Sequence, residues 1–273
     1  MHLKRWITSI VALPLLILLI AKGTPAYFAV LIGIVSIIAL GEYLHIAFLS
    51  AKRHWAKNPI AMLTFIVGLV IIWAAYRHSP HIILGALALN LILTGALSLP
   101  QYRNWPLVVD VLFKQALSIL YIPVFLSYLV LIRCEPSGRI WIFFLLCLVF
   151  SGDVGQYYFG TYLGKHKLCP AVSPGKTWEG SIGGLATNLA IGSVFKHFFL
   201  SALPWVPCLF LFLLIGVTGQ VGDLFESELK RSASIKDSGR ILPGHGGMLD
   251  RIDALLFVAP VLYYYMALVL IPV

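Results

Sequence analysis

The residues best suited to chemistry in this 273-residue chain are Asp223, Asp250 and Asp253, together with Lys230, Arg231, Lys236, His245 and Arg251. Carboxylates suit a hard divalent cation, and ammonium and guanidinium groups suit phosphate. The stretch Ser227–Asp253 reads SELKRSASIKDSGRILPGHGGMLDRID and holds five of the twenty Lys and Arg. Charged residues are only 11% of the whole chain, where a soluble domain carries roughly 25%. A chain that excludes charge and then concentrates both signs in one segment is building a polar site. Asp223, Glu226 and Lys230 have i, i+3, i+7 spacing and so share a helical face. Asp250 and Asp253 stand i, i+3 at the start of the last apolar run. The Pro-Gly-His-Gly-Gly stretch between these acids cannot be regular helix. It predicts a hairpin-like loop that brings the two acidic ends together, an arrangement natural for Mg2+ with substrate phosphate.

Two upstream segments add to this set. Asp153 sits in or near the end of an apolar run, where an acid costs about 2.5–3.5 kcal/mol at mid-membrane and needs a partner. It is expected to line the site. Gly160 and Gly164, spaced i, i+4, permit close helix packing. Further on, SPGKTWEG (Ser173–Gly180) contains Gly-Lys-Thr but not the full P-loop pattern, and it lies in a membrane loop. Ser173, Lys176 and Thr177 precede a helix whose N-terminus offers free N–H groups to an anion, and Glu179 is expected to cap its first turn.

The elements that carry these residues must be membrane helices. The chain is 60% hydrophobic with a mean hydropathy of +0.92, and its apolar runs are long and lack period-two alternation. That pattern gives an all-α polytopic integral membrane protein rather than a barrel. Nine spans are expected, at about 6–21, 28–49, 59–76, 81–99, 107–132, 140–160, 178–199, 203–222 and 252–271. With the N-terminus in the cytoplasm, the cytoplasmic segments hold fourteen Lys and Arg and the opposite side five. The C-terminus then lies on the opposite side, and the loops 161–177 and 223–251 face the cytoplasm. The first run follows a basic start but lacks a small-residue cleavage pattern, so it is expected to be a retained helix.

Residues 1–150 are expected to be N-terminal transmembrane helices with little chemistry. Residues 151–273 form a C-terminal catalytic region, and eight of the eleven acids fall within 151–253. Inside the spans, Asp110 and Lys114 can neutralise each other at i, i+4. Glu42 and His45, at i, i+3, either line a lipid-head cavity or pair together. The net charge of +9 follows mostly from the cytoplasmic bias and also attracts anionic lipid heads. Basic residues split among short loops form no nucleic-acid surface. Four cysteines without paired spacing indicate neither a disulfide framework nor a zinc site. No internal repeat is visible, which disfavours an ion-coupled transporter built on Asp153, Asp110 and Glu42.

The segment that holds Ser227, Lys230, Arg231, Lys236, Asp237, Leu242, Pro243, Gly244, His245, Gly246, Gly247, Asp250, Arg251 and Asp253 resembles the signature of the phosphatidate cytidylyltransferases, also called CDP-diacylglycerol synthases. SPGKTWEG is similar to that family's upstream motif, and the resemblance extends over about residues 150–260. The chain departs from the family at Gln156, where Ala is usual, and at Thr161, where a basic residue is usual.

The resemblance implies that CTP and phosphatidate react to give CDP-diacylglycerol and pyrophosphate in phospholipid biosynthesis. It also implies Mg2+, with a second, monovalent cation left open, a nine-span helical fold and a homodimer. Asp223 and Asp250 are then the metal ligands. Lys230, Arg231, Lys236 and Arg251 neutralise triphosphate and pyrophosphate. His245 donates to a phosphate or, as the lesser alternative, acts as general acid; Asp253 stands behind the cation site or is a second cation ligand; and Asp237 belongs to the same catalytic motif. Ser173, Lys176 and Thr177, with Asp153 and Glu179, bind substrate. The location expected is the inner membrane of a bacterial cell, with the active site facing the cytoplasm. A related CTP-using lipid enzyme, such as a CDP-archaeol synthase or a polyprenol kinase, is the competing reading.

Overall fold

The computed structural model describes residues 13–50, 55, 58–239, 241 and 246–270. Helix dominates, because a backbone in lipid must satisfy its own N–H and C=O groups. Among the described residues, seven helical stretches are long and apolar enough to cross a bilayer: Pro25–Leu49, Pro59–Tyr76, Pro80–Tyr102, Val108–Cys134, Gly138–Leu163, Trp205–Ser232 and Leu249–Val269. These match seven of the nine expected spans, so this is an integral membrane protein. Two expected spans fall short of that standard. Helix α1 is described only over Leu13–Lys22. Helix α8 (Trp178–Phe199) has the expected bounds but is rich in Gly, Ser, Thr and Asn.

The chain divides into two compact units. The first comprises Met1–Cys134 and Ser232–Arg251. It contains α1, α2 (Pro25–Ser50), α3 (Pro59–Tyr76), α4 (Pro80–Tyr102), α5 (Val108–Ile119) and α6 (Phe125–Cys134). Asn58 starts α3 by accepting from Ile60 N at 2.9 Å, with Pro59 in the first turn where no N–H is needed. Helices α5 and α6 are one span broken by a π-turn, Leu120–Val124. Pro123 lies within that turn, and its missing N–H accounts for the break in the ladder. Val67, Ile71, Ala86 and Ile119 form an apolar core. Buried beside it, Gln115 Nε2 donates to Thr64 Oγ1 (3.1 Å) and Asn90 Oδ1 (2.9 Å), so three polar side chains satisfy one another inside the helices. Lys114 and Asp110 pair at 2.7 Å, as the spacing predicts.

The second unit comprises Glu135–Arg231 and Ile252–Val273. It contains α7 (Gly138–Leu163), a hairpin of β1 (Lys167–Cys169) and β2 (Ser173–Thr177), α8, α9 (Trp205–Ser232) and most of α10 (Leu249–Tyr265). Helices α7 and α8 meet through glycine. A Cβ on Gly180 would lie 2.8 Å from Gln156 O and 3.0 Å from the Gly160 Cα, and one on Gly184 would lie 3.0 Å from Gly152 O. Small residues let two backbones approach where lipid gives no hydrophobic drive. Gly160 therefore serves helix packing as expected. Gly164 ends α7, its N–H bonding to Gly160 O at 3.2 Å, and it also allows close approach, since a Cβ there would lie 2.8 Å from the Thr177 side chain.

Candidate active site

The site residues of the second unit come from α7, the hairpin, the C-terminal half of α9 and the α10 segment after Arg251. Lys176, on β2, reaches Asp223 on α9, with Nζ 2.5 Å from Oδ2. Both side chains are partly shielded, at 13% and 29% exposure, so the pair is insulated but reachable by a ligand. One face of α9 carries Asp223, Glu226 and Lys230 as the spacing predicts. Glu226 is fully buried and forms an ion pair with Lys230 one turn later. The Lys230 ammonium thus already has a buried carboxylate, which ties it down and moderates the positive charge it offers a phosphate. Arg231 donates from Nε to Val172 O at 3.2 Å, fastening the hairpin to the end of α9.

Asp253 lies within electrostatic range of Asp223, Asp153 and Lys230. Gly222 explains part of this closeness, since a Cβ there would sit 2.7 Å from Asp253 O. Asp153 is exposed on α7 and lines a small cavity of about 20 Å³ with Gly152, Gly184, Asn188 and Gln220.

The hairpin corrects one expectation and refines another. The cap of α8 is Thr177, whose Oγ1 accepts from Gly180 N at 3.1 Å, and not Glu179. Glu179 turns back and accepts from Lys165 N (3.0 Å), His166 N (3.2 Å) and His166 Nδ1 (2.6 Å). The His166 contact, followed by the backbone N–H groups, holds its carboxyl down to about 2. A threonine directly before the helix was the sequence signal for the cap. Ser173, Lys176 and Thr177 do precede the helix, but as an extended strand. Lys176 is thereby directed at Asp223 and Ser173 is paired with Cys169.

In the first unit, the Ser232–Arg251 segment holds Lys236, Asp237, Asp250 and Arg251. Asp250 stands in the first turn of α10. Its carboxylate accepts from Ser238 N at 3.1 Å and from Gly247 N at 2.8 Å. Gly246 has φ +84°, and a Cβ there would lie 2.8 Å from Asp250 Oδ2, so glycine serves both the turn and the close approach. Lys236 and Asp237 are exposed and line a pocket of about 600 Å³ with His45, Ile235, Ser238 and Gly239. Arg251 is exposed in the first turn of α10. His245 lies outside the described residues, as do Arg240, Leu242, Pro243 and Gly244. The glycines at 246 and 247 form an irregular turn into the helix, as the sequence requires.

The sequence left Glu42 and His45 open between pairing and lining a cavity. They do neither together. His45 faces the pocket, and Glu42 accepts from Ser238, Met248 and Leu249. No signal in the sequence marked that pairing, because the partners are about two hundred positions away. Among the described residues no group of three or more His, Cys, Asp or Glu is gathered as a metal cage.

Apolar helices with carboxylates and ammonium groups paired beside them define an integral membrane protein with a polar site. Residues 3–269 match the cytidylyltransferase family, and the chain belongs to that family. It is 34% identical to the phosphatidate cytidylyltransferase of Bacillus subtilis (strain 168), over 97% of each chain. It is also 34% identical to the phosphatidate cytidylyltransferase of Staphylococcus aureus (strain COL), over 94% of this chain and 96% of that one. A shorter match, 46% identical, covers 47% of this chain and 43% of the uncharacterized protein YnbB of Escherichia coli (strain K12).

Proposed function

We propose that this protein is a CDP-diacylglycerol synthase, converting CTP and phosphatidate to CDP-diacylglycerol and pyrophosphate. The Lys176–Asp223 pair carries the reading on the geometric side. It sets a carboxylate for a cation beside an ammonium for a phosphate in the C-terminal half of a membrane helix. Full-length similarity to two phosphatidate cytidylyltransferases supports it independently.

The phosphate monoester of phosphatidate is already a nucleophile at neutral pH. One of its oxygens attacks the α-phosphorus of CTP, and the bond from that phosphorus to the β-phosphate oxygen breaks. Pyrophosphate leaves with the electron pair. Such a transfer asks mainly for positioning and charge neutralisation. The resemblance to the family's motifs makes Asp223 and Asp250 the residues that would hold Mg2+. They fit a hard cation because both are carboxylates, and that of Asp250 is fixed by two backbone N–H groups. Mg2+ supplies neutralisation of the triphosphate charge. Lys176 leaves Asp223 to meet a phosphate, and Arg231, Lys236 and Arg251 add positive charge for the triphosphate and the leaving pyrophosphate. Lys230 contributes with its charge tempered by Glu226. Asp253 and Asp153 supply further negative charge around Asp223, and Glu179 and Thr177 hold the hairpin that presents Lys176. His245 and Asp237 complete the motif.

The Lys and Arg bias supports placing the hairpin and the Ser232–Arg251 segment at the cytoplasmic face of a bacterial inner membrane, and the resemblance supports a homodimer. The test is pyrophosphate release by purified protein from CTP, with and without phosphatidate. Release that needs phosphatidate, with the α-phosphate label of CTP entering the lipid, supports the proposal. Entry of the γ-phosphate label instead identifies a lipid kinase and overturns it.

A further inference from the structure

Glu42 lies in α2, is only 6% exposed, and stands 196 residues before its partner Ser238. Its Oε2 accepts from Ser238 Oγ and Leu249 N, both at 2.9 Å, and its Oε1 accepts from Met248 N at 2.9 Å. Met248 N and Leu249 N belong to the start of α10, where helical geometry leaves N–H groups without internal acceptors. A carboxylate there also meets the positive end of the helix dipole. The fit is steric as well, since a Cβ on Gly239 or Gly247 would overlap Glu42. Both sides of the loop therefore carry glycine where this side chain enters.

The same backbone holds Asp250. Ser238 gives its hydroxyl to Glu42 and its N–H to Asp250, and Gly247 packs on Glu42 while its N–H goes to Asp250. We propose that Glu42 is a positioning residue for cytidylyl transfer: it fixes the Ser238–Asp250 segment so that the Asp250 carboxylate is presented to a divalent cation. The inference rests on the cation-binding role proposed above for Asp250. Glu42 acts through that carboxylate and not on the substrate.

The test uses the full-length protein in lipid nanodiscs, with Mn2+ as the probe ion. Free Mn2+ is read by its electron paramagnetic resonance signal, and amide hydrogen exchange is read over Ser238–Asp250. Glu42→Gln places an NH2 against a backbone N–H. It is expected to weaken Mn2+ binding about tenfold or more, as loss of a support to a metal ligand does. It is also expected to speed exchange at Met248 and Leu249. Gln115→Leu, which breaks the buried polar trio elsewhere in the same unit, is expected to leave both readouts unchanged. Ser238→Ala removes one of the three donors and is expected to weaken Mn2+ binding by less than Glu42→Gln; it carries the test if Glu42→Gln does not fold. Wild-type Mn2+ binding in the folded Glu42→Gln protein, or in Ser238→Ala where only that variant folds, overturns the inference, as does unchanged exchange. Absence of CDP-lipid formation by the wild type sinks the functional reading instead, and the Mn2+ and exchange data still decide the role of Glu42.

Discussion

Lys176 and Asp223, 47 residues apart, form a direct ion pair at 2.5 Å between a strand of the hairpin and the C-terminal half of a membrane helix. The pair places one negative and one positive group at a single point. A cation bound to Asp223 and a phosphate bound to Lys176 would then be neighbours. This arrangement makes the hairpin part of the candidate active site and not a passive connection.

Lys176→Ala is expected to lower turnover more than tenfold, by about 1.4 kcal/mol or more of transition-state stabilisation. Asp223→Asn alone is expected to cost at least as much. The double variant is expected to lose less than the product of the two single losses, because the residues share one interaction. A double-mutant cycle on kcat/KM checks this, and strict multiplicativity of the losses refutes the coupling.

Asp250→Asn keeps the shape of the side chain but replaces a carboxylate oxygen with an amide nitrogen facing the N–H groups of Ser238 and Gly247. Formation of CDP-lipid from labelled CTP is expected to vanish while expression and membrane insertion stay near normal. Full activity in the purified variant would remove Asp250 from the cation site.

Helix packing in the second unit is expected to fail at Gly155. A Cβ there would overlap Thr187, so Gly155→Val should destabilise the protein by about 1–3 kcal/mol. Gly85 in α4 has nothing within 4 Å of the same position, and Gly85→Ala is expected to be neutral or to stabilise by up to about 1 kcal/mol. Thermal unfolding in detergent separates the two, and equal shifts would contradict the packing.

The Glu179 contact sets a direction for pH. Its folded carboxyl is held near 2, below an ordinary value of 4.5. The contact therefore contributes in full above about pH 4.5 and is lost as pH falls toward 2. Glu179→Gln removes that dependence. Hydrogen exchange at Lys165 and His166 across this window is the measurement, and protection that ignores both acid and the substitution would refute it.

The helical, membrane-embedded class follows from the sequence pattern alone, because a chain with only 11% charged residues and long apolar runs without period-two alternation satisfies its backbone in lipid as helices. The local spacings held for the same reason. Asp110–Lys114 and Glu226–Lys230 are one helical turn apart and needed no tertiary information. Glu42 as the anchor of the Asp250 segment was decided by three-dimensional packing. Hydrogen bonds between distant segments leave no periodic trace in a sequence. Nor did spacing reveal that Lys176 meets Asp223, or that Ser232–Arg251 groups with the N-terminal helices. Those pairings depend on which backbones approach closely, and glycines at the points of approach settle that only once the chain has folded.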